Sequence, residues 1–438
     1  MKDDLRIENG ILLTGTESWP VIDRGFVAIR DGRIAQTGAK SDEGQAREAE
    51  TVIDARGGLV LPGLVNGHTH LPMTLFRGLA DDLPLQEWLN DHIFPAEAAH
   101  VRPGPVRAAA RLACAELLLG GVTTCCDGYF LEDQVAEAAA ETGIRAVLGH
   151  GIIDFPAPGV PDPARNVEIA ADFVRWWTNR SEVIRPSIFC HSPYTCSPKT
   201  LQTAKAAARD AGVLFQIHLA ETRAETEGIR NDHGCGPAVY LDRLGILDSD
   251  TLLVHCVWLT EADIAVVAKR GCGVVHCPES NMKLASGVAP VPAMRAAGVS
   301  VGLGTDGAAS NNDLDLFGEM GMAARLHKVV RGDPTVMDAR SAIRMATAEG
   351  ARAIGLGDEI GTLEVGKRAD VIVLSADSPH MTPIHHPESQ AVYSAGAGDA
   401  RDVVVDGRVV VREGALVGVD VKGVLQEMKE RRAGIWGK

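Results

Sequence analysis

No C-x-x-C pair occurs among the nine cysteines, no stretch comes near twenty consecutive apolar residues, and 43 Lys and Arg are outnumbered by 58 Asp and Glu. Each absence closes a class of function. A net charge of -15 leaves no basic stripe to neutralise phosphates, so nucleic acid is not an expected partner. The chain starts Met1-Lys2-Asp3-Asp4-Leu5-Arg6, without the apolar segment of a secretory leader, and neither a leader nor a membrane span is expected. An odd number of cysteines, with Cys114, Cys190, Cys256 and Cys272 in apolar surroundings, fits reduced thiols in a cytoplasm better than a disulfide framework. Neither a Gly-x-Gly-x-x-Gly turn opening a helix nor a Walker loop is present, which removes the common dinucleotide and triphosphate fingerprints. What remains is small-molecule chemistry in a soluble cytoplasmic protein.

The first 60 or so residues read as short strands broken by turn signals, as in Arg6-Ile7-Glu8-Asn9-Gly10-Ile11-Leu12-Leu13. The tail repeats that grammar, with Asp406-Gly407 joining two β-branched runs into a hairpin. Between these ends, apolar runs alternate with Ala-rich helical stretches at 106–119, 201–211 and 262–270, the rhythm of a parallel sheet with crossover helices. Eight strand-like runs are counted, at 65–70, 122–126, 146–150, 187–191, 213–218, 252–255, 273–276 and 299–306. The expected fold is α/β: a (β/α)8 TIM barrel over 61–359, with a small β-sandwich built from both termini, 1–60 and 360–438. Oligomeric state stays open; a homo-oligomer through Trp176-Trp177 and simple helix packing of those rings are both consistent with the sequence.

Six of the eight runs end at or beside a histidine, and another ends in Gly304-Thr305-Asp306-Gly307. Active sites of such barrels sit at the C-terminal ends of the strands. His68 and His70, at i and i+2 of the first barrel strand, face one side and can grip one ion. His218 with Glu221, His255 and Asp306 stand at the exits of the fifth, sixth and eighth strands. Singly, each has an ordinary reading: a hydrogen-bonded core histidine, a turn-forming Asp, a solvated Glu. Their coincidence at one edge of one barrel favours a metal site, and imidazoles with a carboxylate suit a borderline divalent ion such as zinc with a position left for water.

Taken together, Pro62-Gly63-Leu64-Val65-Asn66-Gly67-His68-Thr69-His70, His218-Leu219-Ala220-Glu221-Thr222, Val254-His255-Cys256, His276-Cys277-Pro278-Glu279-Ser280-Asn281 and Gly304-Thr305-Asp306-Gly307 resemble the amidohydrolase superfamily. The resemblance covers nearly the whole chain. The fourth strand ends Phe189-Cys190-His191-Ser192-Pro193, without the lysine that two-metal members carboxylate, so the likeness is to the one-metal deaminase and triazine-hydrolase branch. Within it, Pro72-Met73-Thr74-Leu75-Phe76-Arg77-Gly78-Leu79-Ala80-Asp81-Asp82, Leu85-Gln86-Glu87-Trp88-Leu89 and His191-Ser192-Pro193-Tyr194-Thr195-Cys196-Ser197 are similar to the 5'-methylthioadenosine/S-adenosylhomocysteine deaminase family.

That resemblance implies hydrolytic removal of the 6-amino group of an adenine nucleoside (5'-methylthioadenosine, adenosine or S-adenosylhomocysteine). It implies one Zn2+ per subunit on His68, His70, His218 and Asp306, with Fe2+ or Mn2+ as alternative ions. Asp306 would take the proton of the attacking water, His255 would orient that water, and Glu221 would protonate the ring and help ammonia leave. Trp88 would line the nucleoside pocket, Glu97 would accept from the ribose hydroxyls, and His191 would touch base or sugar. Arg165 stands near one position where relatives hold a homocysteine carboxylate; at the other, this chain has His150-Gly151. The alternatives are an aminohydrolase or chlorohydrolase of another amino-heterocycle (guanine, triazine, pterin) and a catalytically inactive scaffold.

Overall fold

A computed structural model describes residues 2–39 and 48–436. The N-terminal strands β1 (Asp3–Leu13), β2 (Val21–Arg30), β3 (Arg33–Ala39), β4 (Ala49–Asp54) and β5 (Leu59–Pro62) share one nine-stranded mixed sheet with strands from the far end of the chain. These are β14 (Val371–Leu374), β15 (Ala400–Val405), β16 (Arg408–Arg412) and β17 (Ala415–Leu416), and β14 joins the two groups by pairing antiparallel with β5. Two hairpin turns, Asp31-Gly32 and Asp406-Gly407, have positive φ at both central residues (50° and 72°, 52° and 77°), the geometry for which Asp-Gly is favoured. The sheet curls until those turns meet through Ala369, whose N–H donates to Gly32 O (2.9 Å) and whose carbonyl accepts from Gly407 N–H (3.0 Å). Leu5, Ile7, Val27, Ile29, Val371 and Val404 fill the space inside.

The eight parallel strands between are β6 (Leu64–Thr69), β7 (Val122–Tyr129), β8 (Arg145–Ile152), β9 (Ile184–Cys190), β10 (Phe215–Leu219), β11 (Thr251–His255), β12 (Gly273–His276) and β13 (Val301–Leu303). They run in sequence order around the sheet, and the Asp306 N–H donates to His68 O (3.0 Å) where the last strand meets the first. This is the (β/α)8 barrel expected from the alternation of apolar runs and Ala-rich stretches. Helices Pro103–Leu119, Pro198–Ala211 and Glu261–Arg270 occupy those stretches. Val65, Val147, Leu252, Val254 and Val275 pack inside, over Ala351 and Ile354.

A buried ion pair ties the two parts together. Arg145, on β8, donates from Nε and Nη2 to the two carboxylate oxygens of Asp370 (3.1 and 3.0 Å), and Asp370 also accepts from the Asp406 N–H (2.8 Å). Such a pair holds position well, because removing one partner strands a charge at a cost of about 3–5 kcal/mol. The neighbouring tryptophans part company: Trp177 is buried and donates to Asp133 (2.9 Å), whereas Trp176 is exposed under the Arg180 guanidinium. Among the described residues no helix is long and apolar enough to cross a membrane, and no cysteine is in a disulfide.

Candidate metal centre and substrate cavity

The barrel exits bring His68, His70, His218, His255, Glu221 and Asp306 to one place. Three of the exits turn on non-glycine residues with left-handed backbone: Ala220 (φ 53°), His255 (φ 71°) and Asp306 (φ 63°). That conformation costs about 1 kcal/mol or more per residue and persists where the surroundings impose it. Here it turns the Asp306 carboxylate and the His255 imidazole toward the barrel mouth.

Nε2 of His218 lies 3.1 Å from Nε2 of His68. Asp306 Oδ1 is 3.5 Å from His68 Nε2 and 3.3 Å from His70 Nε2. Donors held at about 2.1 Å around one tetrahedral ion stand about 3.4 Å apart, so these spacings match a shared ion. His70 Nδ1 donates to Gly128 O (2.6 Å), which leaves its Nε2 lone pair facing Asp306. Burial lowers the His68 pKa to about 4 and drives His218 well below its ordinary value. Both rings are neutral at pH 7, so each can offer a nitrogen lone pair to a cation held between them. The donor set therefore fits one divalent metal.

Burial works against the Asp306 charge, but the hydrogen bond from His68 and the nearby His70 outweigh it and hold the carboxyl well below its ordinary pKa. Its second oxygen accepts from Ser280 Oγ (2.7 Å) and Ser310 Oγ (2.8 Å). His255, its pKa lowered by burial to about 3, is neutral, and the Asn281 amide nitrogen lies 3.1 Å from its Nδ1. With Nδ1 accepting, the proton sits on Nε2, pointed at the donor cluster. Glu221 Oε2 is 3.9 Å from that Nε2. Burial, with the Asp306 and Glu225 charges beside it, raises the Glu221 pKa well above its ordinary value and favours the protonated acid. Its loop is fixed by Glu225, whose oxygens accept from the Ala220 and Glu221 N–H groups (2.8 and 2.9 Å).

A cavity opens from this cluster, walled by Met73, Leu89, Phe94, Phe130, Phe189 and Leu284. Trp88, Glu97 and His191 also line it. Trp88 is fixed by donating Nε1–H to Ala80 O (3.0 Å), and His191 Nδ1 lies 3.0 Å from Thr195 Oγ1. Glu97 accepts from Tyr129 Oη (2.5 Å), and burial raises its pKa to about 7. Arg165 is a correction: its side chain is 58% exposed, away from the cavity lining, and pairs with Glu168 three residues along (3.3 Å). An acid one helical turn away satisfies the guanidinium without any bound carboxylate.

His150 and His276 end strands too, yet neither lines the cavity. Side chains alternate along a strand, so Gly151 borders the cavity and the buried His150 faces the other side. Val275 packs in the barrel interior, while His276 sits 5.3 Å from the His327 ring.

Residues 59–410 match the amidohydrolase family. The chain belongs to the amidohydrolase family. This amidohydrolase is 45% identical to a 5-methylthioadenosine/S-adenosylhomocysteine deaminase of Syntrophobacter fumaroxidans over 97% of both chains. It is 44% identical to a 5'-deoxyadenosine deaminase of Methanothermobacter thermautotrophicus, over 98% of this chain and 99% of the relative. A zinc-bound adenosine deaminase structure from Xanthomonas campestris superposes with a TM-score of 0.97 at 37% identity, covering 100% of this chain and 99% of the other.

Several contacts in the amidohydrolase site escaped the sequence reading. Ser280 and Asn281 follow His276-Cys277-Pro278 at a strand exit, which is the signal that could have flagged them. Ser310, Glu225 and Tyr129 carried no such mark.

Proposed function

We propose that this amidohydrolase is a zinc-dependent deaminase replacing the 6-amino group of an adenine nucleoside by oxygen, with one zinc ion on His68, His70, His218 and Asp306. In the accompanying division of the chain, the barrel over 61–359 carries all the chemistry and the terminal sheet, 1–60 and 360–438, supports it, β5 crossing the boundary. One observation carries the reading of function: a single cavity has His70, His218, His255, Asp306 and Glu221 in its wall together with Trp88 and Glu97. Full-length relatives that act on adenine nucleosides support it.

His68, His70, His218 and Asp306 would hold a divalent ion that, when bound, would lower the pKa of a water toward about 7. The residues do the rest. Ionised Asp306 accepts the proton of the attacking water. His255, protonated on Nε2, donates to the attacking oxygen and fixes its approach to C6. Glu221 gives its proton to the adjacent ring nitrogen, the proton taken by Asp306 leaves with the amino group, and the remaining hydroxyl proton returns to Glu221 as the C6 oxygen becomes a carbonyl. Water and the aminopurine thus become the oxo-purine and ammonia. Trp88 and the apolar walls exclude solvent, and Glu97 accepts from the ribose hydroxyls.

Among the described residues no Arg or Lys lines the cavity, which favours small apolar 5' substituents such as methylthio or hydrogen over a charged tail. A homocysteine tail would bring a carboxylate that nothing there pairs. Replacing Glu97 by Gln is expected to raise KM for 5'-methylthioadenosine about tenfold to a hundredfold, with kcat changed less than about threefold, consistent with loss of a charged acceptor worth about 1.5–3 kcal/mol. Steady-state kinetics against the 2',3'-dideoxy analogue checks this. The analogue should be insensitive to the substitution, and equal effects on both would remove Glu97 from the ribose.

A further inference from the structure

The exit of β7 supplies no metal ligand and no proton to the reaction described above, yet it is wrapped around a metal ligand. Pairing between β6 and β7 is irregular from Asn66 and resumes at Thr69 opposite Asp127, so regular strand hydrogen bonding does not hold the segment carrying His68 and His70. Asp127 does that work with its side chain. It is fully buried, and its Oδ1 accepts from Thr69 Oγ1 and from the Leu71 N–H, both at 2.6 Å. Thr69 and Leu71 are the two neighbours of His70. The next residue, Gly128, accepts from His70 Nδ1 at 2.6 Å. His70 is thus anchored on both flanks and from behind by two consecutive residues of a strand that offers no ligand.

The anchor is costly to keep. Burial is the largest influence raising both the Asp127 and the Glu132 carboxyls, and both side chains are fully buried. An apolar side chain in place of Asp127 would leave the Leu71 N–H without its acceptor, so the anchor depends on an oxygen at this position.

We propose that Asp127 is a positioning residue for the metal: by anchoring Thr69 and Leu71 it aims the His70 imidazole, so that its loss weakens metal binding although it touches no ligand atom. The inference rests on His70 being a metal ligand, as argued above.

The test is the zinc dissociation constant of the full-length protein by chelator competition, with the visible spectrum of the cobalt(II) form as a reporter of coordination geometry. Asp127→Ala is expected to bind zinc about 10- to 100-fold more weakly and to change the intensity of the cobalt bands. Asp127→Asn keeps an oxygen that accepts both hydrogen bonds, and is expected within about threefold of wild type with an unchanged spectrum. A lowered unfolding midpoint in Asp127→Ala with wild-type zinc affinity would overturn the proposal, as would Asp127→Asn binding as poorly as Asp127→Ala. If Asp127→Ala does not fold, Thr69→Val decides: it removes one anchor and keeps the shape, is expected to weaken zinc severalfold, and overturns the proposal if zinc affinity is unchanged. His70→Ala separates the two readings. Wild-type zinc affinity in that variant would sink the ligand assignment itself, whatever Asp127 does.

Discussion

Glu221→Gln is expected to lower kcat on an adenine nucleoside by about a thousandfold while zinc content stays at wild-type level. Proton transfer by a positioned group contributes about 10^2- to 10^4-fold, and Glu221 stands at the cavity wall 3.9 Å from His255 Nε2, with burial favouring its protonated form. Glutamine keeps the shape and donates hydrogen bonds, but it cannot surrender a proton. Binding should suffer little, so the loss falls on kcat and not on KM. The same acid explains the expected pH profile. Activity falls on the alkaline side as Glu221 loses the proton that burial and the neighbouring Asp306 and Glu225 charges help it keep, and that limb should be absent from the residual activity of the Gln variant. Retention of more than about a tenth of wild-type kcat would show that another group protonates the ring.

The second large effect is at Asp306, where two roles meet in one carboxylate. Oδ1 stands among the imidazole nitrogens at 3.3 and 3.5 Å, and Oδ2 is fixed by Ser280 and Ser310. Asp306→Asn should therefore lose metal and proton acceptor together. The expected result is a drop in kcat/KM of about 10^4-fold or more, the upper end of what proton transfer alone supplies, with substoichiometric zinc by elemental analysis after dialysis. The two Ser hydroxyls aimed at Oδ2 sharpen the test, because an amide nitrogen there would meet two oxygens and an amide oxygen at Oδ1 would carry no charge. Full zinc content with ordinary turnover would place both ion and base elsewhere.

The parts of this molecule that were legible in the sequence are those governed by local periodicity. His68 and His70 share a face because a strand repeats every two residues, and His218, His255 and Asp306 stood out because each ends an apolar run. The Asp406-Gly407 turn marked its hairpin for the same local reason. Long-range geometry was not legible. Nothing near Arg165 said that Glu168 would claim it, although the spacing of three was visible. The strand exits at His150 and His276 looked equivalent to those at His191 and His218, but parity turns the first two away from the cavity. Tyr129 and Asp127 meet Glu97 and Thr69 across gaps of 32 and 58 residues, and only the folded barrel makes them neighbours. Glu97 illustrates both sides: its place in the cavity was expected, but the Tyr129 hydrogen bond and the burial that raises its pKa to about 7 were not.

The most direct test is the fall in ultraviolet absorbance as adenine becomes hypoxanthine, followed with zinc-loaded protein on 5'-methylthioadenosine, 5'-deoxyadenosine, adenosine, S-adenosylhomocysteine and free adenine in parallel. The expected result is turnover of the nucleosides with apolar 5' groups, weaker activity on S-adenosylhomocysteine for want of a cationic partner in the cavity, and little on adenine. No turnover of any nucleoside by protein with zinc bound would contradict the account.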